Sequence, residues 1–262
     1  MIDVNTVYTT VLYILNKEQR GYLTPEEFNS LATQVQLEVF EKYFEDLTQQ
    51  QRMVDINDSE YANRVKTIQE KISSFETYDS ITGTAGVFTL DKGSGATDLT
   101  YDLHRLGTIE YTKPMNSGFT ASPRLLPVTL EEVTQANYNL IRRSKLTTPS
   151  EYWPIFTLRQ NNKVHTLPNL SQVDVYYVRK PQDVRWGYTV GTLGQYIYDP
   201  TVYDPVSPPT NASKSTQFEI SSLDQSEVIL KILTYTGVII RDPQIIQAAS
   251  QMAEKIEVNE KS

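Results

Sequence analysis

The stretch DVNTVYTTVLYILNKEQRGYLTPEEFNSLATQVQLEVFEKYFEDL, residues 3–47, decides how this chain is read, because its apolar spacing, turn residues and caps all specify one object: two helices joined by a tight loop. Val4, Val7, Tyr8, Val11, Leu12 and Leu15 recur at steps of three and four, the spacing that gathers side chains on one face of an α-helix, and Asp3 stands before them as an N-cap. The run from Asn16 to Gly21 breaks the period. Thr24-Pro25-Glu26-Glu27 restarts it: the Thr24 hydroxyl accepts a backbone N–H bond, Pro25 suits the first helical position, and Glu27 reaches back to complete a capping box. Phe28, Leu31, Ala32, Val35, Val39, Tyr43 and Leu47 then line one face. Gln34, Glu38, Glu41, Lys42 and Glu45 fall on others.

The loop between the two helices overlies a calcium-binding template from Asn16 to Glu27, with Gly21 and Glu27 at its glycine and last-ligand positions. Its fifth position is Arg20, a permanent cation where a divalent ion would sit. A turn in which Gly21 supplies a positive φ accounts for the same residues, so no metal site is expected.

Working outward, Ala62, Val65, Ile68, Ile72 and Phe75 predict a third helix after a polar break at 55–59. After Tyr78 glycines punctuate short β-prone runs such as 87–90 and 108–112. The run from Lys92 to Thr97 has phosphate-loop composition but lacks the Gly-Lys-Ser/Thr ending, and reads as a hairpin tip. Thr129 and Glu132 form a second capping box, predicting a short helix over 129–143 whose basic end carries Arg142, Arg143 and Lys145. Residues 155–159 and 163–167 flank Gln160-Asn161-Asn162 as a hairpin, and 173–178 forms a further strand ending at Arg179-Lys180-Pro181. His165, on that hairpin, has no convergent His or carboxylate and reads as structural. The segment 188–203 alternates in the same style, 204–215 reads as a proline-rich arm, and Phe218 to Ile220 is expected to close the sheet. Ser221 or Ser222 caps a helix that Gly237 should end, a short β-like Val238-Ile239-Ile240 follows, and a last helix runs over 245–256.

The expected fold class is α+β: a helical bundle formed by the N- and C-terminal segments with an inserted antiparallel β-rich domain. Its expected parts are 1–78, the insert at 79–221 with its short helix, and 222–262. Length, at 262 residues, allows a proper core, and the absence of cysteine removes disulfides and thiolate chemistry. The N-terminus lacks a signal-peptide pattern and no stretch is apolar enough to span a bilayer, so no membrane partner is expected. Of the net charge of −8, roughly −6 falls on 1–78, −3 on 79–112, +5 on 113–185 and −4 on 186–262. Such polarity suits self-association, with the basic middle of one copy (Arg142, Arg143, Lys145, Arg179, Lys180) facing an acidic flank (Glu38, Glu41, Glu45) of the next. No nucleophile elbow, zinc-protease helix, Walker sequence or dinucleotide fingerprint occurs, so neither catalytic residues nor a cofactor are expected. Tyrosine is abundant, at 17 residues, which fits protein interfaces or sugar-stacking platforms.

The run 16–29, followed by Ala32-Thr33-Gln34-Val35-Gln36-Leu37-Glu38, resembles the start of neck or ring proteins of crAss-like and related short-tailed phages. The passage 155–181 and the run from Leu230 to Val238 are similar to the same group. The resemblance implies a structural virion protein, assembled in the host cytoplasm: a head-to-tail connector forming a homo-oligomeric ring between portal and tail proteins, through which genomic DNA passes without sequence-specific binding. The alternative is a tail-associated, Tyr-rich module that binds carbohydrate or protein, with Tyr188 to Tyr203 as its platform.

Overall fold

The structure, a computed structural model, describes residues 1–17, 22–50, 64–115, 124–160, 162–201 and 214–240, together with 247, 250–252 and 254–255. The protein is α+β, with helices and largely antiparallel sheets, and the chain divides into two compact units. One combines Met1–Ser74 with Pro181–Ser262; the other is the continuous insert Phe75–Lys180.

In the first unit, helix α1 spans Val4–Lys17, α2 Pro25–Gln50, α3 Arg64–Ser73 and α5 Gln225–Ile240, the last preceded by a single 3-10 turn at Ser222–Asp224. The predicted caps are present. The Asp3 carboxylate accepts from the Thr6 N–H at 2.9 Å, and Thr24 and Glu27 exchange the reciprocal bonds of a capping box, with Thr24 N–H donating to Glu27 Oε2 at 2.9 Å. The apolar stripes close a core from Val4, Val7, Val11 and Leu15 on α1, Phe28, Val35, Val39 and Phe40 on α2, and Val228 and Ile232 on α5. Helix α2 packs against both α3 and α5, and α1 against α5.

In the second unit the strands are β1 (Glu76–Thr82), β2 (Val87–Thr89), β3 (Leu103–Met115), β4 (Arg124–Thr129), β5 (Glu131–Glu132), β6 (Ile155–Arg159), β7 (Lys163–Leu167) and β8 (Gln172–Arg179). They form two four-stranded sheets, ordered β1-β8-β3-β4 and β2-β7-β6-β5. Ile81, Phe88, Leu99, Ile109, Phe156, Val164, Val173 and Val175 make one continuous core for this unit. The hairpin of 155–167 is as its sequence predicts: Arg159 pairs with Lys163 and Ile155 with Leu167, and Asn162 takes φ 50°.

Four expectations are corrected. The short helix, α4, spans Gln135–Arg143 rather than starting at Thr129, because 124–129 and 131–132 are drawn into strands. Thr134, not Thr129, caps it, accepting from Asn137 N–H. The insert ends at Lys180 rather than at residue 221. Residues 181–187 and 214–220 join the helical unit because side chains of α2 bind the backbone of 182–186 and of Glu219, while Thr216 and Phe218 pair with the backbone of Arg185 and Ile2. Phe218 does not close the sheet of the insert; it bridges Ile2 through two N–H···O bonds of 3.2 Å. Finally, Gly237 does not end its helix. Buried packing at Val228, Ile232 and Leu233 outweighs the roughly 1 kcal/mol helical cost of one glycine, and α5 runs on to Ile240 through the expected β-like segment. The tip of the Asn16 to Glu27 loop, the break at 55–59 and most of the arm at 204–215 lie outside the described residues. Of the last predicted helix, the described residues 247, 250–252 and 254–255 are helical.

One feature of the helical unit has no counterpart in simple patterning. Asn29, Thr33 and Gln36 stand one turn apart on α2 and bind the backbone of the extended segment 182–186, whose alternate residues Gln182, Val184 and Trp186 come past at matching intervals. Trp186 N–H donates to Asn29 Oδ1 at 2.7 Å, Val184 N–H to Thr33 Oγ1 at 3.1 Å, and Gln36 Nε2 donates to the Gln182 carbonyl at 2.6 Å. Trp186 is thereby buried against Tyr8, its indole N–H donating to Asn5 at 3.0 Å. After it, strands β9 (Tyr188–Val190) and β10 (Tyr196–Tyr198) form a two-stranded hairpin.

Candidate interaction surfaces

Charge is segregated by unit. The helical unit carries 13 Lys and Arg against 22 Asp and Glu, whereas the insert carries 11 against 10. The cations of the insert are also poorly compensated where they gather. Arg159 and Lys163 face each other directly across the β6–β7 ladder, and His165, paired with Thr157, falls on the same side of that hairpin. Like charges directly opposite in a sheet destabilise it. With Gln135, Leu158 and Gln160 these residues line an open concavity of about 550 Å³. Helix α4 crosses beside it: Gln135 Oε1 accepts from Arg159 Nε at 3.0 Å, and the Arg159 guanidinium lies 5.5 Å from the Tyr138 ring centroid.

The His165 imidazole is held below its usual 6.5, first by partial burial and then by the positive charges of Arg159, Lys163 and Arg142. The folded chain therefore binds this proton less tightly than the unfolded chain does. Its contribution to stability is intact above the unfolded value and is lost as pH falls through the lower folded value. Acidification from neutrality toward about pH 5 should lower Tm, and His165→Gln should remove part of that slope. Thermal melts of both proteins at matched pH test this; parallel pH profiles would refute it.

The helical unit offers the opposite sign. Between α2, α3 and the 3-10 turn a cleft of about 320 Å³ holds two carboxylates, Asp224 and Glu227, both 7% exposed. Asp224 accepts from the Tyr43 hydroxyl and pairs with Lys71 Nζ at 2.8 Å; Glu227 pairs with Lys42 Nζ at 3.1 Å. Burial first, and then the bond to Asp224, push the Tyr43 phenol far above its usual value, so it stays a donor. Among the described residues no group of three or more His, Asp or Glu is arranged to hold a metal ion.

The eight residues expected at an interface divide into distinct sets. Arg142, Arg143 and Lys145 stand exposed at and just beyond the C-terminal end of α4, and Lys180 is exposed at the end of the insert. Arg179 is different: its guanidinium lies 4.9 Å from the Tyr101 ring and 5.6 Å from that of Phe75, so it is spent on packing within its own unit. Glu38 is likewise engaged internally, accepting from the Tyr235 hydroxyl and pairing with Lys231 at 3.6 Å. Glu41 and Glu45 are exposed, four residues apart on α2 and so on one face of it. Sequence reasoning missed Arg159, Lys163 and His165 as a set. The signal was the hairpin register, which places all three on one face once 155–159 and 163–167 are paired.

Tyrosines 188 and 198 lie face to face with Trp186, at 5.9 and 5.6 Å between centroids, and Tyr196 meets Tyr188 edge-on at 5.0 Å. Much of the stacking surface that a sugar would use is thus taken up within the cluster itself; Tyr203 lies outside the described residues. No helix among the described residues is long and apolar enough to cross a membrane. No protein-family model matches the chain, and no curated protein is similar to it.

Proposed function

We propose that this chain is a non-enzymatic structural subunit that assembles with copies of itself into a closed ring, serving as a head-to-tail connector of a phage virion, docked between portal and tail proteins. The observation that carries the proposal is the separation of charge between two compact units of one chain, an acidic helical unit and an insert with exposed cations. A ring repeats one heterologous contact until it closes, so each copy needs two different and mutually complementary surfaces. An acidic helical unit and a local cluster of exposed cations on the nearly neutral insert supply them. An acidic unit in such a ring also repels DNA phosphate, so a passing genome would slide rather than bind. The resemblance at 16–38, 155–181 and 230–238 to neck and ring proteins of short-tailed phages supports the same reading.

Mass photometry and native mass spectrometry of the purified chain should show one discrete assembled species that loses population as salt rises. Mass spectrometry of purified particles should find the chain in many copies per genome. A chain that stays monomeric at every salt and concentration, and is absent from particles, would sink the proposal.

A further inference from the structure

We infer that the basic concavity of the insert is the socket of the ring contact, and that its occupant is the exposed carboxylate face of α2 in the next copy of this chain. This inference rests on the ring reading above and gives it a residue-level surface. Three observations converge on an anionic occupant. Arg159 and Lys163 are held opposite each other on adjacent strands, an arrangement that costs stability in the isolated chain. Arg142, near enough to act on His165 on the same face, adds to the same sign. Neither Arg142, Arg159 nor Lys163 has a carboxylate within ion-pair distance in the described structure, although the chain carries more acidic than basic residues. A cluster built at a cost and left without counter-charge is relieved when an anion arrives.

Charge complementarity selects the occupant. The chain's net charge of −8 repels nucleic acid at long range, whereas its own helical unit carries the excess carboxylates and is present in equal number. Glu41 and Glu45 project from one face of α2 a turn apart, a spacing that suits two cations facing each other across a hairpin. Arg159 enters this contact already fixed, since Gln135 and the Tyr138 ring hold its guanidinium, so less side-chain freedom is lost on docking.

Reciprocal charge reversal tests the pairing on the full-length chain. R159E/K163E and E41K/E45K alter exposed or half-buried surface positions, and circular dichroism confirms that each folds. Each variant alone should assemble about tenfold more weakly than the wild type by sedimentation velocity or mass photometry. Mixed in equal amounts they should assemble again, because the acidic socket of one meets the basic helix of the other. Loss of folding cannot produce rescue on mixing. A wild type that never assembles overturns the ring reading and this inference together. A wild type that assembles while R159E/K163E assembles equally well, or a mixture that shows no rescue, overturns this inference alone. An R159E/K163E variant that assembles normally but loses retention on double-stranded DNA reassigns the socket to phosphate and also overturns it.

Discussion

Replacing Asp224 by Ala should lower the stability of the helical unit by about 3 kcal/mol, the low end of what breaking a buried ion pair costs. Asp224 is 7% exposed and receives two donors from different helices, the Tyr43 hydroxyl on α2 and the Lys71 ammonium on α3. Truncation leaves a buried phenol with no acceptor and a cation with no counter-charge. The loss is no larger because the Lys71 side chain keeps 20% exposure at the mouth of the cleft and regains part of its hydration. Asp224→Asn separates the two components: the amide oxygen still accepts from Tyr43, while the charge pairing with Lys71 is lost. The expected order of stability is wild type, then Asn, then Ala. The two tryptophans make the measurement specific. Trp186 is buried in the helical unit, whereas Trp153 in the insert is 81% exposed, so the change in emission during denaturant unfolding reports chiefly on the unit that contains Asp224. Coincident unfolding midpoints for all three proteins would refute the assignment of Asp224 as the tie between these helices.

The second large effect is expected at Gln36. Its amide is buried, donates to the Gln182 carbonyl at 2.6 Å, and accepts from the Glu219 N–H at 2.9 Å. One side chain thus joins two extended backbone segments, which also meet here through the Gln182 N–H donating to Glu219 Oε2 at 3.0 Å. Gln36→Met keeps the length and the apolar stem but leaves the part-buried Gln182 carbonyl and Glu219 N–H without this partner. At roughly 1–3 kcal/mol for each unsatisfied group, the loss should be about 2–4 kcal/mol. Gln34→Met is the control. Gln34 is exposed and its amide donates to the neighbouring Glu38 side chain at 3.2 Å, so that substitution should change stability by less than about 0.5 kcal/mol. Equal effects at the two positions, read from Trp186 emission, would show that the segment 182–186 is not held by the polar stripe of α2.

These two sites also show where reading the sequence stops. Helix existence was legible because it depends on local spacing: the stripe of Val4 to Leu15, the capping box at Thr24 and Glu27, and the hairpin across 160–162 each depend on residues a few positions apart. The α+β class followed from the change of period after Tyr78. What competed locally was misread. Thr129 with Glu132 has the pattern of a helix start, but pairing with β3 and β6 claims those residues for strands, and the helix waits for Thr134. Gly237 has the pattern of a stop, but buried packing ahead of it, at Val228, Ile232, Leu233 and Thr236, outweighs the cost of one glycine and the helix continues.

For the interaction surfaces the division is sharper. Charge counted along the chain already separated acidic ends from a basic middle, since charge is a property of composition and survives any folding. It could not say which charges remain available. Arg179 and Glu38 look the same in sequence as Lys180 and Glu45, yet two are taken by rings and hydroxyls of their own unit and two are exposed. Nor could it distinguish the polar residues of α2 that face solvent from Asn29, Thr33 and Gln36, which hold residues about 150 positions away. Caps, stripes and turns are short-range and are written in the order of residues. Which polar group finds a partner depends on what the folded chain brings alongside it, as the segment 182–186 comes alongside α2, and no local pattern records that.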